Sequence, residues 1–136
     1  MMKRICVAAA LAAALLTAAC ADPVAPVAPT PVLPTVAETF SDTLLVLGAN
    51  THSFTVTDIG GVKVSLTSLK PGAVVGLGVG TSGVGRCSII DHIPAVAGAS
   101  IQLSGTVTVP GTYCVEVYDL GNLVESVAYI VNVLHS

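Results

Sequence analysis

From Phe40 onward apolar and polar residues alternate with a period of two, and no stretch sustains the i, i+3, i+4 recurrence of an amphipathic helix. Thr39 to Leu47 reads as a first strand, closed by Gly48-Ala49-Asn50. His52 to Asp58 sets Phe54 and Val56 against Ser53, Thr55 and Thr57. Gly60-Gly61 reads as the turn into Val62, Val64 and Leu66, which alternate with Lys63, Ser65 and Thr67 as far as Pro71-Gly72. Val74 to Val79 follows and dissolves into the glycine-rich Gly80 to Gly85, and Arg86 to Asp91 reads as a short edge strand. Ser100 to Val109 alternates again, Ile101, Leu103 and Val107 against Gln102, Ser104, Thr106 and Thr108. Pro110-Gly111 then turns the chain into Tyr113, Val115 and Val117, with Cys114, Glu116 and Tyr118 facing the other way. After a loop from Leu120 to Glu125, Val127 to Leu134 is the last strand. Seven or eight short strands in residues 38–136 predict a single small antiparallel β-sandwich, of jelly-roll or immunoglobulin-like type.

The chain ahead of this domain follows different rules. Lys3-Arg4 is a positive cluster, and Ile5 to Ala19 is an apolar run of 15 residues. That is shorter than the roughly 20 residues a spanning helix needs and fits the helical core of an export signal. Thr17-Ala18-Ala19-Cys20 resembles the lipobox of bacterial lipoproteins, with Thr17 where Leu is usual. The resemblance implies cleavage after residue 19, acylation of Cys20 and anchoring in the lipid bilayer of the cell envelope. Ala21 in the following position resembles the outer-membrane-sorted class, where the host has two membranes. Asp22 to Val36 carries five prolines in 15 residues. Proline fixes φ and removes backbone donors, so this stretch reads as a disordered tether of polyproline character. The expected division is therefore 1–19 signal, 20–37 lipidated cysteine plus linker, and 38–136 sandwich domain.

Composition changes the picture mainly by exclusion. Charged residues make up 10% of the chain, against roughly 25% in an average soluble domain, so the outward strand faces carry hydroxyls in place of charges. Loss of Lys3 and Arg4 with the signal leaves three basic against eight acidic residues, a net charge of −5. Three scattered cations make no footprint for a phosphate backbone, so no nucleic-acid partner is expected. Of the four cysteines, Cys6 leaves with the signal and Cys20 takes the lipid, so Cys87 and Cys114 remain as an expected disulfide in an oxidising compartment. That bond closes a 28-residue loop, and in the chain-entropy account such a closure contributes about 3.6 kcal/mol.

Chemistry is sparse. Gly78, Gly80 and Gly83 match G-x-G-x-x-G, yet the pyrophosphate mechanism needs a helix start behind the glycines, and Arg86-Cys87-Ser88 and Pro94 follow instead. Ser88, Asp91 and His92 hold the residue types of a hydrolytic triad without a nucleophile elbow. His52, His92 and His135 lie far apart with no zinc-ligand spacing. Asp119, Asn122 and Glu125 offer oxygens to calcium, but Asp119-Leu120-Gly121-Asn122 reads more simply as a turn. Phe54, Tyr113 and Tyr129 read as core, and Tyr118 is the aromatic expected at the surface as a contact residue. No cofactor and no catalysis are expected.

The strings His52-Ser53-Phe54-Thr55-Val56, Gly61-Val62-Lys63-Val64-Ser65-Leu66-Thr67 and Gly111-Thr112-Tyr113-Cys114-Val115-Glu116-Val117-Tyr118-Asp119 together resemble the bacterial pre-peptidase C-terminal domain. The resemblance spans Phe40 to Val133 and implies a jelly-roll-like sandwich serving as an accessory module of exported proteins. The expected function is a non-catalytic envelope module that holds a protein or cell-wall partner, with the rows Lys63/Ser65/Thr67 and Gln102/Ser104/Thr106 as candidate contacts. The alternative is a carbohydrate-binding accessory domain that uses Tyr118, with or without calcium.

Overall fold

The computed structural model describes residues 25–31 and 33–136; the signal, Cys20 and the first residues of the tether lie outside them. Eight strands follow one another: β1 (Val36–Leu44), β2 (Ala49–Val56), β3 (Gly60–Lys70), β4 (Val75–Gly83), β5 (Arg86–Ala95), β6 (Leu103–Val107), β7 (Gly111–Tyr118) and β8 (Val127–His135). They form two four-stranded sheets, one in the order β1-β8-β3-β6 and the other β2-β7-β4-β5. Every neighbouring pair is antiparallel. The first strand pairs with the last, the second with the seventh, the third with the sixth and the fourth with the fifth. A long antiparallel ribbon rolled up in this way is a jelly roll. That decides between the two expected sandwich types.

The two inner faces are apolar because the alternation is strict. β8 sends Val127, Tyr129, Val131 and Val133 inward, β3 sends Val62, Val64 and Leu66, and β7 sends Val115 and Val117, all buried. Full burial of one such side chain contributes about 1.5–3 kcal/mol, so this interior is what holds the sheets face to face. The division of β7 into an inner Val115/Val117 face and an outer Cys114/Glu116/Tyr118 face is as expected.

Several boundaries differ from the sequence pattern. β1 takes in Val36 and Ala37, which pair with His135 and Leu134, so ladder pairing begins two residues inside the expected linker. It ends at Leu44, and the apolar Leu45-Val46-Leu47 that reads as its continuation is loop. Gly60-Gly61 is the start of β3, paired with Val107 and Thr106, and not the turn. Gly80 to Gly83 belongs to β4, and β5 runs on past Asp91 to Ala95. Gln102 leaves the expected polar row. Its side chain accepts from the Leu66 amide and donates to the Val96 carbonyl, pinning the β5–β6 connection to β3.

The register fixes which connections share an end of the barrel-like body. Leu44 lies opposite Val127, Lys70 opposite Ala128, Ala49 and Gly76 opposite Tyr118, and Val75 opposite Ala95. Loops 45–48, 71–74 and 119–126 therefore crown one end, while the 96–102 connection runs back along the β3 edge, where the Gly98 amide donates to the Leu66 carbonyl and the Gln102 amide to the Val64 carbonyl. The tether enters at the other, where the Thr35 amide donates to the His135 carbonyl and Pro34 packs toward Gly61.

Candidate functional site

The crown of three loops is short of charge and rich in exposed aliphatic side chains. Leu45, Val46 and Leu47 come from the β1–β2 loop, Val74 from β3–β4, and Leu120 and Val124 from β7–β8. Leu47 is 81% and Val124 93% exposed. Single exposed apolar residues are ordinary, but a cluster on one end of a small domain marks an interaction surface. Asp119 and Glu125 are the charged side chains in these loops.

Asp119 is an internal strut. One carboxylate oxygen accepts the Leu47 amide at 2.8 Å, and the other accepts the amides of Gly121, Asn122 and Leu123. The Asp119 amide in turn donates to the Gly48 carbonyl. These bonds tie the β1–β2 loop to the β7–β8 loop and pull the Asp119 carboxyl below its ordinary value of 3.8, the Leu47 amide first among the causes. With both oxygens so used, Asp119 organises the turn that its Asp-Leu-Gly-Asn sequence suggests. Among the described residues no three His, Cys, Asp or Glu groups gather as a metal site.

The strut also holds an unfavourable backbone. Leu47 has φ 58°, in the left-handed region, which costs a residue with a Cβ about 1–2 kcal/mol. The strained turn presents an aliphatic side chain to solvent. Because the Asp119 carboxyl lies low when folded, its contribution is complete above pH 3.8 and is lost as pH falls through the depressed folded value. Asp119→Asn is expected to speed hydrogen exchange at the Leu47, Gly121, Asn122 and Leu123 amides at neutral pH while the β8 amides stay protected. Unchanged exchange at Leu47 would show that Asp119 does not brace the β1–β2 loop.

The remaining chemistry-bearing residues are dispersed. Ser88, Asp91 and His92 lie along the exposed edge strand β5, where Asp91 accepts the His92 backbone amide at 2.9 Å. His52 is turned inward on β2, stacked on Phe40 at 4.9 Å and hydrogen-bonded through Nε2 to the Tyr129 hydroxyl at 2.7 Å. Burial lowers the His52 pKa from 6.5, against the pull of Asp42, and pushes the Tyr129 hydroxyl up to about 12. His135 is buried at the tether end, with Nε2 at 2.9 Å from Glu38. His52 and His135 hold bonded positions within the fold, His92 lies exposed on β5, and the structure does not bring the three together as one site.

The glycine motif has a packing explanation on the outer face of the second sheet. Gly76, Gly78 and Gly80 alternate with the core-facing Val75, Leu77 and Val79 of β4. A Cβ on Gly76 would lie 2.2 Å from the Tyr118 ring, one on Gly78 3.0 Å from Ile89, and one on Gly80 1.9 Å from the Ser88 carbonyl oxygen. Tyr118 thus covers Gly76 and is half-buried, not a free platform. At Gly80 the backbone of β5 itself passes over β4.

That crossing explains the disulfide. Cys87 on β5 and Cys114 on β7 have β4 between them in the sheet order, a distance of about 9.6 Å for two flat strand steps. Their Cα atoms are 5.8 Å apart and the sulfurs are bonded. The β4–β5 hairpin therefore lifts out of the sheet and folds back over β7. Its Ser82 hydroxyl reaches Ser53 of β2 at 3.0 Å, and Cys114 is fully buried beneath it. The expected pairing of Cys87 with Cys114 is observed, and it clasps this hairpin.

Comparison with solved structures finds PliG of Aeromonas hydrophila, a periplasmic lysozyme inhibitor of g-type lysozyme, with a TM-score of 0.54 at 13% identity. The match covers 77% of this chain and 95% of that one. At such identity the likeness is one of fold, and it places the sandwich beside that of an envelope protein. No family model matches the chain, and no curated protein matches it.

Proposed function

We propose that this chain is a non-catalytic protein-binding module of the bacterial envelope, lipid-anchored through Cys20, which holds its partner with the apolar crown of loops. The observation that carries the reading is the clustering of Leu45, Val46, Leu47, Leu120 and Val124 on two loops braced by Asp119. A braced loop loses little conformational entropy on docking, which favours binding. The crown lies at the end opposite the tether, so an anchored domain presents it away from its own attachment point. The partner is accordingly a protein with an apolar cleft and not the anchoring bilayer. PliG, whose fold this one resembles, is itself an inhibitor of a protein, which supports a protein partner. A glycan fits the crown less well, since its loops contain no aromatic ring for a sugar to stack on. The resemblance to pre-peptidase C-terminal domains agrees with an accessory, non-enzymatic role.

The test is capture from a detergent extract of the source cell's envelope, using the chain and its Leu47→Asp/Val124→Asp variant. A protein retained by the native crown and weakened at least about tenfold by the double variant supports the proposal. Equal capture by both, with loss on Lys63→Ala/Ser65→Ala instead, would move the contact to the outer face of the first sheet.

A further inference from the structure

The folded-back β4–β5 hairpin leaves a groove between its tip and the β2 edge. The groove is lined by Asp42, Asn50, Thr51 and Ser53 on one side and by Ser82 and Arg86 on the other, with Ala49, Gly83 and Gly85 completing it. Three features mark it as more than a crease. Its walls carry hydroxyl, amide and charged groups with Ala49 as the one aliphatic side chain, so it suits a polar occupant. Its two charges are opposite and lie on different elements; among the described residues Arg86 makes no ion pair, and one Asp42 oxygen accepts the Thr43 amide while the other is left without a protein donor. Gly83 and Gly85 put no side chain into the opening, and a Cβ on Gly85 would meet nothing within 4 Å.

We infer that this groove binds a small zwitterion, the carboxylate on Arg86 and the ammonium on Asp42, in the manner of a free amino acid. A simple anion would gain Arg86 and face Asp42, and a simple amine would gain Asp42 and face Arg86. A ligand carrying both charges satisfies each, within a wall whose polar side chains are already fixed: the Thr51 hydroxyl donates to Glu116, the Ser53 hydroxyl bonds Ser82, and the Asn50 amide donates to the Thr43 carbonyl. Arg86 sits next to Cys87, so the Cys87–Cys114 bond that clasps the hairpin fixes the cationic wall. The inference is independent of the crown.

The experiment is amide chemical-shift titration of the isotope-labelled chain, exported with Cys20→Ser so that no detergent is needed, against glycine, acetate, methylammonium and glucose. Saturable shifts at Thr51, Ser53 and Arg86 with glycine, weaker by about tenfold for acetate and methylammonium, are expected. Arg86→Gln and Asp42→Asn, both at exposed positions, should each abolish the preference for glycine while the remaining spectrum is unchanged. Reduction of the disulfide should weaken glycine binding at least severalfold. Saturation by glucose alone, equal response to acetate and glycine, or no saturable shift would each overturn the inference.

Discussion

Gly80→Ala is expected to lower the thermal midpoint of the domain by at least about 10 °C, which for a body of this size corresponds to about 2–3 kcal/mol. The added Cβ would lie 1.9 Å from the Ser88 carbonyl oxygen and 2.8 Å from the Ile89 Cα. Both are backbone atoms, so no side-chain rotation relieves the clash and β5 itself must move. Two controls isolate the cause. At Gly105 a Cβ meets nothing within 4 Å, so Gly105→Ala is expected to be neutral or slightly stabilising, as alanine restricts the unfolded chain. At Gly76 the obstacle is the Tyr118 ring, which can turn aside, so Gly76→Ala should cost less than Gly80→Ala. Thermal unfolding of the three variants followed by circular dichroism checks the order. An unshifted Gly80→Ala midpoint would mean that β5 does not cross β4 as described.

Removing the disulfide is the other large effect. In the chain-entropy account, closing a loop between residues 27 apart contributes about 3.6 kcal/mol, a substantial part of the 5–15 kcal/mol typical of a whole domain. Cys87→Ala/Cys114→Ala is expected to reduce the denaturant midpoint accordingly. It should also open the hairpin, so that amides 81–89 exchange faster while β3 and β8 remain protected. The bond and Gly80 act on the same crossing of β5 over β4, so their effects should couple. With the bond gone, β5 is free to lift, and Gly80→Ala should then cost clearly less than in the disulfide-bonded protein. Strict additivity would show that the bond and the crossing are separate features.

How far the sequence reveals this arrangement depends on how local each cause is. The eight strands are legible because alternation of Val, Leu and Tyr with Ser and Thr is written residue by residue along β3, β7 and β8. The paired cysteines are legible because only two remain once the other two are assigned to the signal and the lipid. The Gly76–Gly83 segment misleads because glycine has no side chain to show which face it occupies. What fills the row comes from Ile89 and Tyr118, on other strands. Leu45-Val46-Leu47 reads as strand because its apolar character is used for exposure, not for core. The chain turns at Leu47 because an aspartate 72 residues away accepts its amide, and no local pattern carries that partner. The Asp119 turn itself was visible, through Asp-Leu-Gly-Asn; its reach into the β1–β2 loop was not. The groove under the hairpin was likewise hidden, since Asp42 and Arg86 face it together only after the β4–β5 ribbon folds back.

Hydrogen exchange of the chain alone and in complex with the protein it captures shows which face makes the contact. New protection is expected in the crown, at residues 45–48 and 119–126, with little change along β5 or on the outer face of β3. Protection confined to β5, to the Lys63/Ser65/Thr67 row or to the tether, with the crown still exchanging freely, would contradict docking through the crown.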